Sequence, residues 1–422
     1  MGDESTDCEQ LSQTGNRLTI SPPDPFFDLS GDTEWNACIG RQGDEENYAD
    51  GYIEAAIELS TAVLEKRMYE KRDTLVLPIL YNGRHAIELT LKLVIGELVR
   101  ADIMSDGHPK NHDIASHLAF LESKVIPDEL FRERLSALRP YVDSLAQIDD
   151  DGQELRFHEN RDGQRSMEGK ALANIAVIRE SLGTLQVALK NLKNRSYSLC
   201  DEWRTGTRTT HCSRRDLVEI AGMLPEREDW KSAEFDECKR KIKERFALSN
   251  RQFSLALDKI QETRGLSGLL GIETDLTHLS DAKADLLLKL WDKLHPPRTK
   301  ADDLGTDYFK LDRAAMQQRM SDDAKVHESI SHEFTEDEFA DAETVFYLAR
   351  DGVFPEFYEP KLERKKDEFR ARNDFRQEVH DLMSKTNFRR HFVEGLRRVG
   401  RINFADPLDG KQRAIPETGE DV

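Results

Sequence analysis

The sequence predicts an all-α protein in which an antiparallel helical bundle is followed by two smaller helical domains. Apolar residues recur at helical spacing through most of the chain, and no segment alternates apolar and polar residues for more than four positions. The chain has 422 residues, whereas single hydrophobic cores stop growing near about 250–300 residues. Two or three domains are therefore expected.

The bundle is predicted over residues 48–196. Its first helix has an apolar face made by Tyr52, Ala55, Ala56, Leu59 and Val63. Asp73 and Thr74 indicate that a new helix begins there, and Pro78 fits the first turn of this second helix. Further helices are expected at 112–126, in one or two pieces over 127–148, and at 167–193, with an acidic turn at 149–152.

The rest of the chain divides by charge and periodicity. Ser213 with Asp216, and Ser249 with Gln252, have the spacing of helix capping boxes. The predicted segments are an acidic flexible tail at 1–47, a small helical domain at 197–300 with a helix at 281–294, an acidic linker at 301–340, a C-terminal helical region at 341–405 with three helices, and a loose tail at 406–422.

Composition excludes several classes of protein. The chain has no run of about 18 apolar residues, so no membrane span is expected, and its acidic start does not resemble a secretory signal. Five cysteines without a C-x-x-C pair favour a reduced, cytoplasmic setting. The sequence lacks phosphate-binding loop, dinucleotide and zinc-protease motifs, so neither a cofactor nor a metal site is predicted. The net charge of the chain is −20, so the protein as a whole is expected to bind nucleic acid poorly without specific contacts.

A polar stripe interrupts the second helix at GRHAIELTLK, residues 83–92. Arg84, Glu88 and Lys92 follow one another at intervals of four, and His85 lies beside them. A helix places such residues on one face. The other faces are apolar, so the stripe predicts either a polar pocket or partner-facing groove, or an ordinary solvated row of ion pairs.

The segment RFHENRDG, residues 156–163, is a second candidate for binding an anion. It places Arg156, His158 and Arg161 before a long helix, whose first N–H groups also favour anions. The alternative is a loop whose arginines pair with the acidic turn at 149–152.

Together these motifs resemble a bacterial branch of the HEPN family, the higher eukaryote and prokaryote nucleotide-binding domains. The resemblance covers residues about 48–196 and rests on the stripe, on His112 and Asp113, and on RFHENRDG. It implies a bundle of four or five helices, frequent dimerisation, RNA as a partner, and roles in RNA cleavage, toxin systems or phage defence.

The sequence departs from the HEPN ribonucleases in one motif, so RNA binding and RNA cleavage are treated as separate expectations. HEPN ribonucleases share an Arg-x(4–6)-His motif, which is absent from residues 48–196; Arg204 and His211 have this spacing but lie beyond the predicted bundle. His112 and Asp113 are assigned structural, orienting roles.

The first hypothesis is a HEPN-like protein that binds RNA and leaves cleavage open, acting in bacterial defence or stress response. His85, His158 and Glu88 are its candidate acid–base groups. Its candidate phosphate contacts are Arg84, Lys92, Arg156 and Arg161. A homodimer or a protein partner from a defence operon is also compatible with this hypothesis.

The second hypothesis is a non-enzymatic interaction or sensor module, in which the stripe is a buried structural network. A third is a transcriptional regulator that uses the helices at 213–225 and 249–262, with Arg251 reading DNA, although the link between them is long for a helix-turn-helix.

Overall fold

The computed structural model describes residues 26–27, 33–40, 43–108, 110–149, 151–159, 163, 165–167, 172–296 and 313–409. The protein is all-α. Within these ranges the β-structure is limited to an isolated bridge between Glu159 and Arg165. No helix of the described chain combines the length and the apolar character needed to cross a bilayer. Most of the predicted tail at 1–47, Arg161, residues 301–312 and the segment 410–422 lie outside the described residues.

Six helices build the first bundle. They are α1 (Glu45–Glu65), α2 (Arg72–Arg100), α3 (Ile114–Ser123), α4 (Glu129–Ser136), α5 (Arg139–Ala146) and α6 (Ile175–Trp203). Asp44, Asp113, Asp128 and Asn174 each cap the start of a helix, because their side chains accept hydrogen bonds from backbone N–H groups of the first turn. The long helices α1, α2 and α6 pack against one another and bury one continuous hydrophobic cluster.

The remaining helices follow in two groups. The middle group is α7 (Arg214–Met223), α8 (Ala233–Arg245), α9 (Asn250–Glu262) and α10 (Arg264–Ser267). The C-terminal group is α11 (Asp281–Leu294), α12 (Arg313–Glu333), α13 (Glu336–Arg350), α14 (Tyr358–Arg372), α15 (Phe375–Met383), α16 (Phe388–Arg398) and α17 (Ile402–Asp409). Both predicted capping boxes are present, at the starts of α7 and α9.

Hydrophobic packing groups these helices by contact and not by position in the chain. One core joins α7, α8, α9 and α10, whereas α11 packs into the C-terminal core. Helix α11 falls inside the range 197–300, yet its Leu287 and Leu288 are buried among C-terminal side chains. Helix α12 falls inside the range predicted as a linker, and its Ile330 is buried in the same core.

Several element boundaries differ from the predicted ones. The C-terminal region, predicted to have three helices, has five in its described residues, α13 to α17, because the predicted long second helix ends at left-handed Asn373 and a new helix starts at Phe375. Helix α2 begins at Arg72, so Pro78 lies inside the helix and not in its first turn. The helix has already begun before Pro78, since the Lys71 carbonyl accepts hydrogen bonds from the N–H groups of Thr74 and Leu75. Helix α6 begins at Ile175, where Asn174 caps it, and continues to Trp203, past the predicted end at residue 193.

A buried arginine joins the first bundle to the middle helices. Arg195 of α6 donates two hydrogen bonds to Asp128, at 3.0 and 2.7 Å, and two to Glu202, at 2.7 and 2.9 Å. Glu202 also accepts from the backbone N–H of Arg215 in α7. A bidentate arginine–carboxylate pair fixes orientation as well as charge. The α6–α7 junction is therefore held by buried charge in addition to apolar packing.

Replacing Gly395 by alanine should destabilise the C-terminal core. An added Cβ would lie 2.1 Å from the Val345 backbone oxygen, so α13 and α16 would have to separate. Overpacking a core costs about 1–3 kcal/mol, and here the obstacle is backbone. We expect Gly395→Ala to lower the midpoint of urea unfolding.

Gly51→Ala is the matched control, because no atom lies within 4 Å of its added Cβ. Alanine in an exposed helix interior is favoured over glycine by about 1 kcal/mol, so its midpoint should stay the same or rise. Equal midpoints for the two variants would contradict the close approach of α13 and α16.

Candidate functional site

The polar stripe of α2 divides into a buried part and a surface part. Arg84 is 1 % exposed and Glu88 2 %, whereas the side chains of His85 and Lys92 keep 21 % and 23 % of their surface. The burial arises because α1, α3, α5 and α6 all pack against α2. Charges at this depth are stable only when they are paired and hydrogen-bonded.

Arg84 ties three parts of the bundle together. Its Nη1 donates to Glu88 Oε2 at 2.9 Å, its Nε to the Asp149 carbonyl at 2.9 Å, and its Nη2 to the His112 carbonyl at 2.5 Å. Glu88 lies on α2 itself, Asp149 lies in the turn after α5, and His112 lies just before α3. The guanidinium is thus a structural tie and faces away from solvent, so it is not placed to meet an RNA phosphate in this structure.

The acidic turn closes over Arg84. The Asp149 carboxylate accepts from the backbone N–H groups of Glu154 and Leu155 at 3.2 Å, and its Oδ2 lies 3.9 Å from Arg84 Nε. Gly152 has φ +82°, and a Cβ at this position would lie 3.2 Å from Arg84 Nη1. A glycine therefore suits both the left-handed backbone and the close approach of the turn to the guanidinium.

Glu88 is the centre of the network. Its Oε1 accepts from Lys92 Nζ at 2.6 Å and from His112 Nδ1 at 2.7 Å, and its Oε2 accepts from Arg84 and lies 3.7 Å from His85 Nδ1. Because a carboxylate only accepts, the His112 nitrogen must donate.

These contacts set the protonation of Glu88. Burial by itself would raise the pKa of the Glu88 carboxyl, but neighbouring His85 and the hydrogen bonds from Lys92, His112 and Arg84 outweigh it. The pKa lies well below its ordinary value of about 4.5. A carboxylate held so firmly in its ionised form is a weak proton acceptor near neutral pH, so its position favours an anchoring role over that of a general base.

An aromatic surface lies next to this network. The His85 ring stacks on Tyr81, with centroids 5.5 Å apart, and meets Tyr52 edge-on at 4.4 Å. The Arg156 guanidinium lies over Tyr81 at 5.8 Å and over Phe157 at 4.9 Å from the ring centroids. We call these five side chains the aromatic patch. The patch brings Arg156 and Phe157 of the RFHENRDG segment next to Tyr81 and His85 of α2.

Two further predicted site residues, His158 and Asp113, make contacts of their own with residues outside the patch. The His158 side chain is 91 % exposed, and its Nε2 lies 3.5 Å from Glu159. Asp113 caps α3 through the N–H groups of Ala115 and Ser116. Arg161 lies outside the described residues.

Arg204 and His211, which have the spacing of the nuclease motif, contact other residues within the chain. Arg204 pairs with Asp201 at 2.9 Å, whereas His211 contacts Gln252 at 2.7 Å. Helix α8 also separates α7 from α9, which is unlike the short turn of a helix-turn-helix. In the described part of the chain, no group of three or more His, Cys, Asp or Glu side chains is arranged to hold a metal ion.

The sequence pattern did not reveal two participants. Helical periodicity assigned Tyr52 to the apolar face of α1, and no motif marks it as a neighbour of His85. The sequence places Asp149 in an acidic turn, but its partner Arg84 lies 65 residues earlier in the chain. The two residues meet only because α5 packs against α2 in the folded bundle.

The chain matches no protein-family model, no curated protein and no solved structure. The resemblance of residues 48–196 to HEPN domains therefore rests on the sequence motifs alone.

Glu88→Gln should unfold more easily than the parent protein. The substitution keeps the shape but removes the charge that compensates buried Arg84, and breaking a buried ion pair costs about 3–5 kcal/mol. The measurement is the free energy of unfolding in urea. Glu97→Gln on the same helix is the control, because Glu97 pairs with exposed Arg100 and such pairs contribute about 1 kcal/mol or less. Similar losses in both variants would contradict the central role of Glu88.

The advantage of the parent over Glu88→Gln should shrink in acid. The folded pKa of Glu88 is below its unfolded value, so its contribution to stability is present above about pH 4.5 and is lost as the pH falls through the folded pKa. Unfolding free energies of both proteins between about pH 7 and about pH 3 measure this. A constant difference down to the acid end would show that Glu88 is not held in its ionised form.

Proposed function

We propose that the first bundle binds single-stranded RNA at the aromatic patch and that the buried network holds the patch without cleaving the strand. The observation that carries the proposal is the convergence of His85, Tyr81 and Arg156, which come from two separate segments of the chain. The HEPN resemblance supplies the expectation of RNA and of a role in bacterial defence or stress response. Dimerisation and a protein partner from a defence operon belong to the same proposal.

The chemistry of the patch suits an unpaired strand. Sequence-tolerant proteins bind single strands by stacking bases on aromatic rings, each stack contributing about 1–3 kcal/mol, and by tracking phosphates with cations. Phe157 is 49 % exposed and Arg156 is exposed beside it. Lys92 keeps part of its side chain in solvent. A ring and a guanidinium on one surface can contact a base and its phosphate together.

The net charge of the chain makes local contacts decisive. At −20 the protein attracts no polyanion in general. Binding must therefore come from stacking and from a few cations, so the dependence of affinity on salt should be shallow in comparison with a strongly basic protein.

The buried network supports binding without cleavage. Ribonuclease chemistry needs a cation at the scissile phosphate and a group that exchanges a proton near neutral pH. Arg84 is enclosed by Asp149, Glu88 and the His112 carbonyl, and Glu88 is held ionised. His158 lies on the exposed loop beside Glu159. Neither buried group is placed to act on a strand at the surface.

The burial of Arg84 and Glu88 also favours the second hypothesis, a non-enzymatic interaction or sensor module. In that case the stripe has a purely structural role and the patch contacts a protein. The two hypotheses differ in whether the purified chain binds RNA.

Arg156→Ala should weaken RNA binding by about tenfold, since one stacked or phosphate-contacting group contributes about 1–3 kcal/mol. The measurement is the fluorescence anisotropy of a labelled mixed-sequence RNA oligonucleotide titrated with the full chain at low salt. Tyr81→Ala should have a similar effect. Arg376→Ala is the matched control, because it removes the same charge from an exposed position on α15.

Two results would overturn the proposal. One is the absence of RNA binding by the parent protein, which would leave the interaction module. The other is an equal affinity in Arg156→Ala and Arg376→Ala, which would place any binding elsewhere. The same RNA, incubated with the parent and run on a denaturing gel, should stay intact. Cleavage that His85→Ala abolishes would return the site to catalysis.

A further inference from the structure

His112 is the most exposed member of the network around Glu88. Its side chain keeps 66 % of its surface in solvent, whereas that of Glu88 keeps 2 %. Its Nδ1 lies 2.7 Å from Glu88 Oε1 and carries the proton of that hydrogen bond. In a neutral ring the other nitrogen, Nε2, then has a lone pair and no proton. With Nδ1 held at the buried carboxylate, the exposed edge of the neutral ring offers no donor to a phosphate.

Lys92 lies beside this ring. Its Nζ donates at 2.6 Å to the same oxygen, Glu88 Oε1, that accepts from His112. Two donors that share one acceptor atom are close neighbours. Lys92 also keeps 23 % of its side-chain surface in solvent. We call the side chains of Lys92 and His112 the rim of the network.

The rim lies on the same face of α2 as the aromatic patch. Tyr81, His85, Glu88 and Lys92 follow one another at intervals of four, three and four residues, which places them on one helix face. From His85 to Lys92 the helix rises by about 10 Å. Sequence-tolerant proteins hold about four or more nucleotides of a single strand in one site. A strand stacked on the patch and following this face therefore reaches the rim.

The charges that face His112 come from α2, from the turn after α5 and from its own segment. They are Arg84, His85, Glu88, Lys92, Asp113 and Asp149. Two of these cations balance the carboxylates of Glu88 and Asp149, and the Asp113 carboxylate is held by N–H groups of α3. From α3, His117 is buried, and burial lowers the pKa of its ring, so that it stays neutral. A second proton on His112 therefore adds a positive charge at the surface of the network.

We propose that His112 contacts an RNA phosphate when its ring takes up a second proton, so that the patch and the rim together bind a strand more tightly in mild acid. Nε2–H donates to a phosphate oxygen, Nδ1–H stays on Glu88, and no covalent bond forms or breaks. The inference rests on the proposed RNA binding and adds a pH-dependent contact to it.

Binding and protonation are linked in this arrangement. An imidazole changes its charge between about pH 5 and pH 8, and a phosphate beside it favours the charged form. Binding is therefore expected to take up protons near neutral pH. Calorimetry detects this uptake as a dependence of the measured heat on the ionisation enthalpy of the buffer.

The test is fluorescence anisotropy of the labelled mixed-sequence RNA with the full chain at about pH 6 and about pH 8, which bracket the titration of imidazole. The parent should bind about tenfold more tightly at the lower pH, the effect of one charge-assisted hydrogen bond. His112→Asn keeps an N–H donor for Glu88 but has no atom in the place of Nε2. It should bind like the parent at the higher pH and lose most of the pH dependence.

His380→Asn is the matched control. His380 is an exposed histidine of α15 whose Nδ1 also lies near a carboxylate, at 3.7 Å from Asp381 Oδ1. It belongs to the C-terminal group and not to the first bundle. This variant should keep the pH dependence of the parent.

The outcomes separate this contact from the patch itself. RNA binding with the same pH dependence in His112→Asn and the parent would overturn the contact and leave the patch in place, and so would a parent affinity that is equal at both pH values. RNA binding at neither pH would remove both proposals. If His112→Asn fails to fold, calorimetry of the parent in two buffers decides, because binding without proton uptake contradicts the contact.

Discussion

The pairing of Arg84 with Glu88 is the contact on which the organisation of the first bundle depends. Two opposite charges, each almost fully removed from water, are stable only if their remaining donors and acceptors are also satisfied. That requirement recruits the His112 carbonyl, the turn at Asp149 and the Lys92 ammonium group. A local i, i+4 pair on one helix thereby specifies where two distant loops must lie. The same contacts fix the position of the aromatic patch, since His85 follows Arg84 directly in α2.

The features predictable from sequence are those encoded by neighbours in the chain. The all-α class follows from periodicity, and both capping boxes follow from a spacing of three residues. The spacing of the α2 stripe likewise predicts that Arg84, Glu88 and Lys92 share a face. It does not predict that this face is buried, because burial depends on the packing of α5 and α6 against α2. Similar spacings occur on solvated helices, where exposed pairs contribute little.

Long-range packing also decides which helices share a core. By sequence, α11 follows the middle helices directly, and its apolar face could pack against any apolar neighbour. In the structure it packs with helices from beyond residue 313. A small cavity beside Glu343 has the same origin, since its lining comes from α13, α14 and α15, whose individual patterns are those of ordinary charged surfaces. A cavity formed in this way leaves no contiguous motif in the sequence.

The bond pattern of Arg195 bears on the modularity of the chain. The stretch that resembles HEPN domains ends one residue after Arg195, yet one of the two carboxylates that neutralise this guanidinium, Glu202, lies beyond that boundary. Glu202 in turn receives the N–H of Arg215 in the next group of helices. A bundle exchanged by recombination at residue 196 would carry a buried cation with half of its counter-charge. The buried contacts of the first bundle thus extend past residue 196 and include the start of α7.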